Sequence, residues 1–423
     1  EAHDTKTTQP LPKGGFPEAF SAMVDALTAK ETGVLHSLSE VSAVGHRVVH
    51  GGSSYSHQAI ITDEVISAIE KASALAPLHN PANLAGIRAA QHLMPNIHHV
   101  AVFDTAFHQT MPSYAHIYGL PHEYYEQKGI RRYGFHGISH KYVSLKAAEY
   151  LKRPFNELET IVCHLGNGAS LCAVDHGRSV DTSMGLTSAE GLIMGSRCGD
   201  MDPAILVHLM RTENMDADAL DQIINRSGGL KGISGISNDM REIEAAADAG
   251  NTRAMLALRT FCYRVRKYIG AYGAAMGGLD AIAFTGGIGQ GSAWVRSLSC
   301  QGLSFMGVRI DEVKNKIAQG FEDICDISAE DASVQVLVIP TDEARMIARE
   351  TLHSVQRTYV NDILREKVTT PIPIEISAHH LHLSQEHVEA LFGRGHELTV
   401  HQMLSQPGQF ACKEKVNLVG PRG

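Results

Sequence analysis

The sequence predicts an α/β protein of two to three domains with many tight turns, and three observations carry that prediction. Short apolar runs of strand length alternate with longer segments whose apolar residues recur at helical spacing. The chain has 423 residues, 43% of them hydrophobic, with 39 glycines. That length suits two to three domains at roughly 100–200 residues each. Three motifs also place glycine where strands end: His-Arg-Val-Val-His-Gly-Gly (46–52), His-Leu-Gly-Asn-Gly-Ala-Ser (164–170) and Phe-Thr-Gly-Gly-Ile-Gly (284–289).

Residues 1–15 are polar, with Pro and Gly, and read as a loop. Phe20, Met23, Val24 and Leu27 predict a helix over 16–30. A buried strand over 41–49 ends at Gly51 and Gly52. Helices are expected at 63–76 and 81–93, then a strand at 98–104. The aromatic-rich stretch 106–134 reads as irregular. A helix at 139–151 leads into a meander of strands at 160–165, 170–174 and 180–182, joined by Gly-Asn-Gly and His-Gly-Arg turns. Helices follow at 202–212, 217–226 and 239–249, and a long one at 252–277. Strands at 281–285 and 334–339 precede a helix at 343–354. Residues 355–371 read as a helical linker ending in Thr-Thr-Pro.

The net charge of −9 argues against nucleic acid as a partner, although local arginines leave room for an anionic substrate. The seven cysteines, at 163, 172, 198, 262, 300, 325 and 412, are scattered, as expected of reduced thiols in a cytoplasmic protein. No run approaches the roughly 18 apolar residues of a membrane span, and no stretch reads as a signal peptide.

Certain residue types already point to phosphoryl chemistry. Glycine-rich backbone lets a phosphate approach closely. The planar guanidinium groups of Arg47 and of Arg197, in Gly-Ser-Arg-Cys-Gly-Asp-Met-Asp-Pro, suit charge spread over phosphoryl oxygens. His136, in Gly-Phe-His-Gly-Ile-Ser-His, stands just before a helix, where it would donate to a phosphoryl oxygen; His140 would support that loop. Asp104 and Glu343 offer the hard oxygens that Mg²⁺ takes.

With these residues in this order, the chain resembles the acetate kinase family of the actin-like ATPase superfamily, from about residue 20 to about residue 354. The resemblance implies two actin-like (ribonuclease H-like) domains around a cleft. The N-terminal one would be 1–105 with 344–356, the nucleotide-binding one 106–343, and the linker 357–371. The first domain is expected to be incomplete, truncated at its N-terminus, because its opening meander and an Asn-x-Gly-Ser-Ser-Ser motif have no counterpart here. Residues 372–423, with Ser-Ala-His-His-Leu-His-Leu-Ser, resemble the opening of a PduL-type phosphate acyltransferase, a zinc enzyme, and should be a short β-rich fragment.

Residue by residue, the resemblance makes Arg47, Asp104, His136 and Arg197 catalytic. It gives the nucleotide His164, Gly166, Asn167, Gly168, Asp239, Met240, Arg241, Gly287, Ile288 and Gly289. It gives the second substrate Arg47, Val49, Leu78, His79 and Phe135, and it gives Glu343 to Mg²⁺ or Mn²⁺. Two departures stand out: Gln290 and Gly291 where the family has Glu-Asn, and Ser188 where it has Pro. On a strand, His380 and His382 would face the same way and could share a Zn²⁺, yet two ligands do not complete a tetrahedral site. The implied reaction is reversible transfer of the ATP γ-phosphoryl to acetate, giving acetyl phosphate and ADP, in a cytoplasmic homodimer. Propionate or butyrate kinase, a kinase–phosphate acyltransferase fusion and a non-catalytic nucleotide-binding remnant are the alternatives.

Overall fold

The computed structural model describes residues 15–77, 79–318, 323–367, 384–403 and 410–414; the loop expected over 1–14, Leu78, the end of the linker, His380 and His382 lie outside these. The chain divides into two units, Glu1–Asn361 and Asp362–Gly423.

In the first unit, helix α1 (Phe16–Leu27) is followed by strand β1 (Ala43–Val48), the short strand β2 (Ala59–Ile60), helices α2 (Asp63–Ala72) and α3 (Asn80–Leu93), and strand β3 (His98–Phe103). The Thr62 hydroxyl accepts the Val65 N–H and starts α2. β1 runs parallel to β3, with Arg47 opposite Val102, and β2 pairs antiparallel on the other side of β3. Val48, Ile69, Ile87, Ala101 and Phe103 form the core between this sheet and its helices.

The stretch expected to be irregular instead holds a 3₁₀ turn (Ala106–Thr110) and two short helices, α4 (Ser113–His116) and α5 (His122–Lys128). Helices of four and seven residues are too short to show a helical period. Helix α6 (Gly137–Leu151) then leads into β4 (Glu159–Leu165), β5 (Ala169–Asp175) and β6 (Arg178–Thr182), the expected antiparallel meander.

Helices α7 (Ala204–Thr212), α8 (Ala217–Gln222), α9 (Gly229–Ser234), α10 (Met240–Asp248) and α11 (Thr252–Met276) precede β7 (Ala281–Thr285). Beyond it come α12 (Gly286–Gly291), α13 (Ala293–Cys300), α14 (Glu312–Ile317), β8 (Cys325–Asp326), β9 (Gln335–Val338) and α15 (Glu343–Lys367). The helix expected at 217–226 breaks at Gln222 into a π-helical turn, and α9, α13 and α14 were not foreseen. The last helix runs on to Lys367, taking in the helical linker expected after 354 without a break.

This larger sheet has the order β6-β5-β4-β7-β9-β8, with β4, β7 and β9 parallel. A meander feeding parallel strands is the architecture of an actin-like half. Phe261, Val265 and Ile269 of α11 cover one face, against Ile161, Leu171 and Ile282. Fully burying each such side chain contributes about 1.5–3 kcal/mol. Val143 and Ala147 of α6 cover the other face. The start of α6 also reaches the first sheet, where Ile138 packs with Val100, Val102 and Met346 of α15. A 2.8 Å ion pair between Lys141 and the buried Glu350 ties α6 to α15. All seven cysteines are free thiols. Among the described residues, no helix is long and apolar enough to cross a membrane.

The second unit contributes helix α16 (Gln385–Phe392), capped by Ser384, and the antiparallel pair β10 (Val400–Met403) and β11 (Phe410–Cys412).

Burial gives the first unit an acid sensitivity. His50 and His108 are fully buried, and burial pushes the pKa of each from 6.5 down to about 4. Below pH 6.5 the unfolded chain takes up protons that these folded imidazoles refuse. The stability they hold above pH 6.5 is therefore lost as the pH falls towards 4, at about 1.4 kcal/mol per pH unit for each ring. Calorimetric Tm values should drop steadily from pH 7 to pH 5. A constant Tm over that range would contradict these shifts.

Candidate active site

The site gathers where β1, β3 and β4 end and α6 begins. Parallel pairing of β1 with β3 sets Arg47 beside Asp104, which immediately follows β3. Arg47 donates through Nε to Asp104 Oδ1 at 3.1 Å and through Nη2 to Oδ2 at 2.7 Å. A bidentate pair of this kind fixes the plane of both groups. The Asp104 carboxylate is 1% exposed and the Arg47 side chain 44%, so the guanidinium retains an open edge. Asp104 raises the Arg47 pKa, which keeps that charge permanent.

α6 is joined to this corner by its first residue. Gly137 N–H donates to the Asp104 carbonyl at 2.9 Å, and a Cβ at Gly137 would lie 2.2 Å from that oxygen. Only glycine fits. The residue before it, His136, sits in the left-handed region at φ 56°. For a non-glycine residue this is uncommon and marks a constrained position. Its half-buried ring stacks on His164, with centroids 4.3 Å apart. Burial, then the neighbouring Arg47 and Arg197, push its pKa down to about 3, so at neutral pH the imidazole is uncharged.

The β4–β5 hairpin brings the glycine turn to the same place. Gly166 N–H donates to the Gly168 carbonyl at 3.0 Å, which closes the turn. A Cβ at Gly168 would lie 3.4 Å from Arg197 Nη1 and 3.6 Å from His136 Nε2, so both groups look onto this bare backbone. Arg197 is held by its Nη1, which donates to the Ser188 carbonyl at 3.1 Å. Ser188 thus anchors Arg197 through its backbone, a contact that the departure from Pro leaves available.

Glu343, at the start of α15, completes a group of opposed charges. Burial, then the Asp104 carboxylate, raise its pKa, while Arg47 lowers it. Its Oε1 is buried without a partner among the described residues. An orphaned carboxylate oxygen beside a second carboxylate fits a hard divalent cation such as Mg²⁺. His79, just before α3, is exposed but belongs to the same electrostatic neighbourhood: burial of part of its ring, then Arg197 and Arg47, lower its pKa, and Asp104 opposes them.

The other expected positions distribute as follows. Asn167 is exposed and accepts from Asn238 Nδ2 at 3.1 Å, while its carbonyl accepts the Gly195 N–H. Asp239 caps α10, accepting the Arg241 N–H at 2.9 Å, and pairs with the exposed Arg241 side chain at 2.6 Å. Met240 points the other way, into the core. Gly287, Ile288 and Gly289 lie in α12, so the segment read as a glycine loop is a single short helix. Beside Gly287 there is open space. Val49 follows β1 and its N–H donates to Asn83 Oδ1; Phe135 is buried against His50.

Three features escaped sequence reasoning. Arg296 is fully buried and donates through Nη1 to the carbonyls of Gly289 (3.0 Å) and Gln290 (2.7 Å), anchoring the end of α12. Ser170 lies between His136 Nδ1 (2.9 Å) and His140 Nε2 (2.8 Å). Ser139 bridges His164 Nδ1 (2.8 Å) and Thr341 (2.7 Å). Only Ser170 left a signal: a hairpin closed at the Gly-Asn-Gly turn pairs it with His164.

The sequence profile of the acetokinase family matches residues 1–349, and that of phosphate propanoyltransferase matches residues 373–423. The chain is 54% identical to an acetate kinase of Halothermothrix orenii, over 79% of this chain and 83% of that one. It is 55% identical to an acetate kinase of Thermoanaerobacter pseudethanolicus, over the same shares. The crystal structure of Porphyromonas gingivalis acetate kinase superposes with a TM-score of 0.78 at 44% identity, covering 82% of this chain and 86% of that one. A propionate kinase from Francisella tularensis gives 0.75 at 41%, covering 81% and 86%.

Proposed function

The chain belongs to the acetokinase family, and from this we infer that it transfers the γ-phosphoryl group of ATP reversibly to acetate, giving acetyl phosphate and ADP. The observation that carries this reading is the meeting of Arg197 and His136 at the glycine turn 166–168, with Arg47, paired to Asp104, acting on His136 and with Glu343 in the field of that pair. A carboxylate oxygen of acetate attacks the γ-phosphorus as the bond to the ADP oxygen breaks. Little covalent work falls to the protein; positioning and charge neutralisation do most of it. Arg47 and Arg197 face the equatorial oxygens, and neutral His136 donates a hydrogen bond to one of them. Asp104 holds Arg47 in plane and, with Glu343, would hold a divalent cation, Mg²⁺ or Mn²⁺, whose charge would supply further neutralisation. The nucleotide lies along the 166–168 turn, Asp239 and Arg241, and the start of α12, with His164 below it. Val49, His79 and Phe135 line the place for the acetate methyl; Leu78, expected there too, lies outside the described residues. A domain around each sheet, 1–105 with 344–356 and 106–343, closes over the cleft and excludes water.

Glu343→Gln should raise the Mg²⁺ concentration needed for half-maximal activity by about 10-fold or more, as expected when a group that holds a metal loses its charge. An unchanged Mg²⁺ requirement would remove Glu343 from the metal site.

One methylene in an apolar pocket changes discrimination by only about 1–3 kcal/mol. Propionate is therefore expected as a slower second substrate, and the likeness to a propionate kinase structure supports testing it. The match over 373–423 favours a second activity, exchange of the acyl phosphate onto coenzyme A, with His380 and His382 as part of a Zn²⁺ site. We place the enzyme in the cytoplasm, where ATP and reduced thiols occur, and expect a homodimer. Exposed Ile205, Val207 and Met210 on α7, a helix with no buried residue, offer it an apolar surface.

A further inference from the structure

We propose that Ser170 is a positioning residue: its hydroxyl, fed by His140, fixes the ring tautomer of His136 so that the Nε2 proton faces the transferring phosphoryl group. The inference rests on the kinase reading for its consequence, but not for its geometry.

Ser170 Oγ is fully buried and lies within hydrogen-bond reach of two imidazole nitrogens, His136 Nδ1 at 2.9 Å and His140 Nε2 at 2.8 Å. A hydroxyl has one proton to donate. The oxygen could accept from both rings, but its own proton would then have no acceptor among the described residues; one ring therefore receives that proton and the other donates to the oxygen. Only two arrangements satisfy all three groups with neutral rings.

In the first, His140 Nε2–H donates to Ser170 and Ser170 donates to His136 Nδ1. His136 then carries its own proton on Nε2, the nitrogen that faces Gly168 and Arg197 across the glycine turn. His140 Nδ1 is left as a bare acceptor. In the second, every bond reverses. His136 Nε2 becomes a lone pair facing the anion site, and His140 Nδ1 carries a proton.

His140 Nδ1 decides between them. It is buried and has no hydrogen-bond partner among the described residues. The second arrangement would strand an N–H donor there, and buried unpaired N–H groups are rarer in folded proteins than under-satisfied acceptors. It would also aim a lone pair at phosphoryl oxygens. The first arrangement avoids both. Neutrality of the two rings is supported by burial, which lowers both pKa values far below 6.5.

His108 shows the same logic nearby. Its Nε2–H donates to the Phe135 carbonyl at 2.9 Å, so its Nδ1 accepts from Ser179 at 2.8 Å. A carbonyl sets that tautomer outright. For His136, which has no carbonyl partner, the serine transmits the choice made at His140.

The test has two independent readouts. Long-range ¹H–¹⁵N NMR of the ligand-free protein, with His136 identified by comparison with His136→Asn, reads the tautomer directly. The expected result is a proton on Nε2. A proton on Nδ1 overturns the proposal whatever the activity. In steady-state kinetics, Ser170→Ala should lower kcat roughly 10–100-fold with little change in the KM for ATP, the range for groups that orient a functional side chain. Its His136 signal should shift towards a mixture of tautomers. Unchanged kcat in a folded Ser170→Ala protein overturns the proposal as well. If the wild-type protein forms no acyl phosphate, the kinase reading fails while the ring tautomer still decides the role of Ser170.

Discussion

Replacing Arg197 with alanine should lower kcat by roughly 10²–10⁴-fold, the range seen when a donor aimed at developing charge is removed. The guanidinium hangs from the Ser188 carbonyl and faces the glycine turn opposite His136. In the proposed reaction its charge would meet the phosphoryl group most strongly while that group is in transit between the two oxygens. An interaction made mainly in the transition state shows in kcat and leaves nucleotide binding nearly intact. Steady-state kinetics with ATP varied at saturating acetate separates the two. An unchanged kcat with a raised KM for ATP would make Arg197 a binding group only.

Arg296→Met should be the most damaging single change to the fold. The side chain is fully buried, and five hydrogen-bonding acceptors converge on it: the carbonyls of Gly289, Gln290, Asn315 and Ala318 and the Asn315 side-chain oxygen. Burial lowers its pKa to about 10, which still leaves it charged at neutral pH. Methionine fills much of the volume and satisfies none of the acceptors. Each buried acceptor left unpaired costs about 1–3 kcal/mol. A loss of several kcal/mol is expected, or about 2–4 °C of Tm for each. Because Gly289 and Gln290 belong to α12, the KM for ATP should rise as well. A variant with wild-type Tm and KM would show that Arg296 merely fills space.

These two arginines also mark where the sequence is legible and where it is not. Arg197 stands in a glycine-flanked loop that the family resemblance singles out. Arg296 lies in an eight-residue helix, where a charged side chain among apolar neighbours reads as the one that faces solvent. Its partners are brought to it only by tertiary packing of α12, α13 and α14. The same division holds along the chain. β7 runs over 281–285 as expected, because an apolar run between a long helix and a glycine pair is a local signal. The meander at 159–182 is equally local, fixed by its two tight turns. The short helices between 106 and 134 carry no periodicity to detect, and the π-helical turn after α8 interrupts a pattern that reads as one continuous helix.

Within the candidate site, Arg47, Asp104 and His136 are legible as candidates from motif positions, but their relations are not. The bidentate Arg47–Asp104 pair depends on the parallel register of β1 with β3, which links residues far apart in sequence. The left-handed His136 depends on Gly137 touching the end of β3. The serine between two histidines required β5 to lie against the start of α6.

Formation of acyl phosphate is the most direct measurement. Purified protein incubated with acetate, ATP and Mg²⁺ in the presence of hydroxylamine should yield acetohydroxamate, with ADP released in equal amount and no product when any one of the three is omitted. Absence of acyl phosphate from acetate, propionate and butyrate alike would contradict the assignment of this cleft to carboxylate phosphorylation.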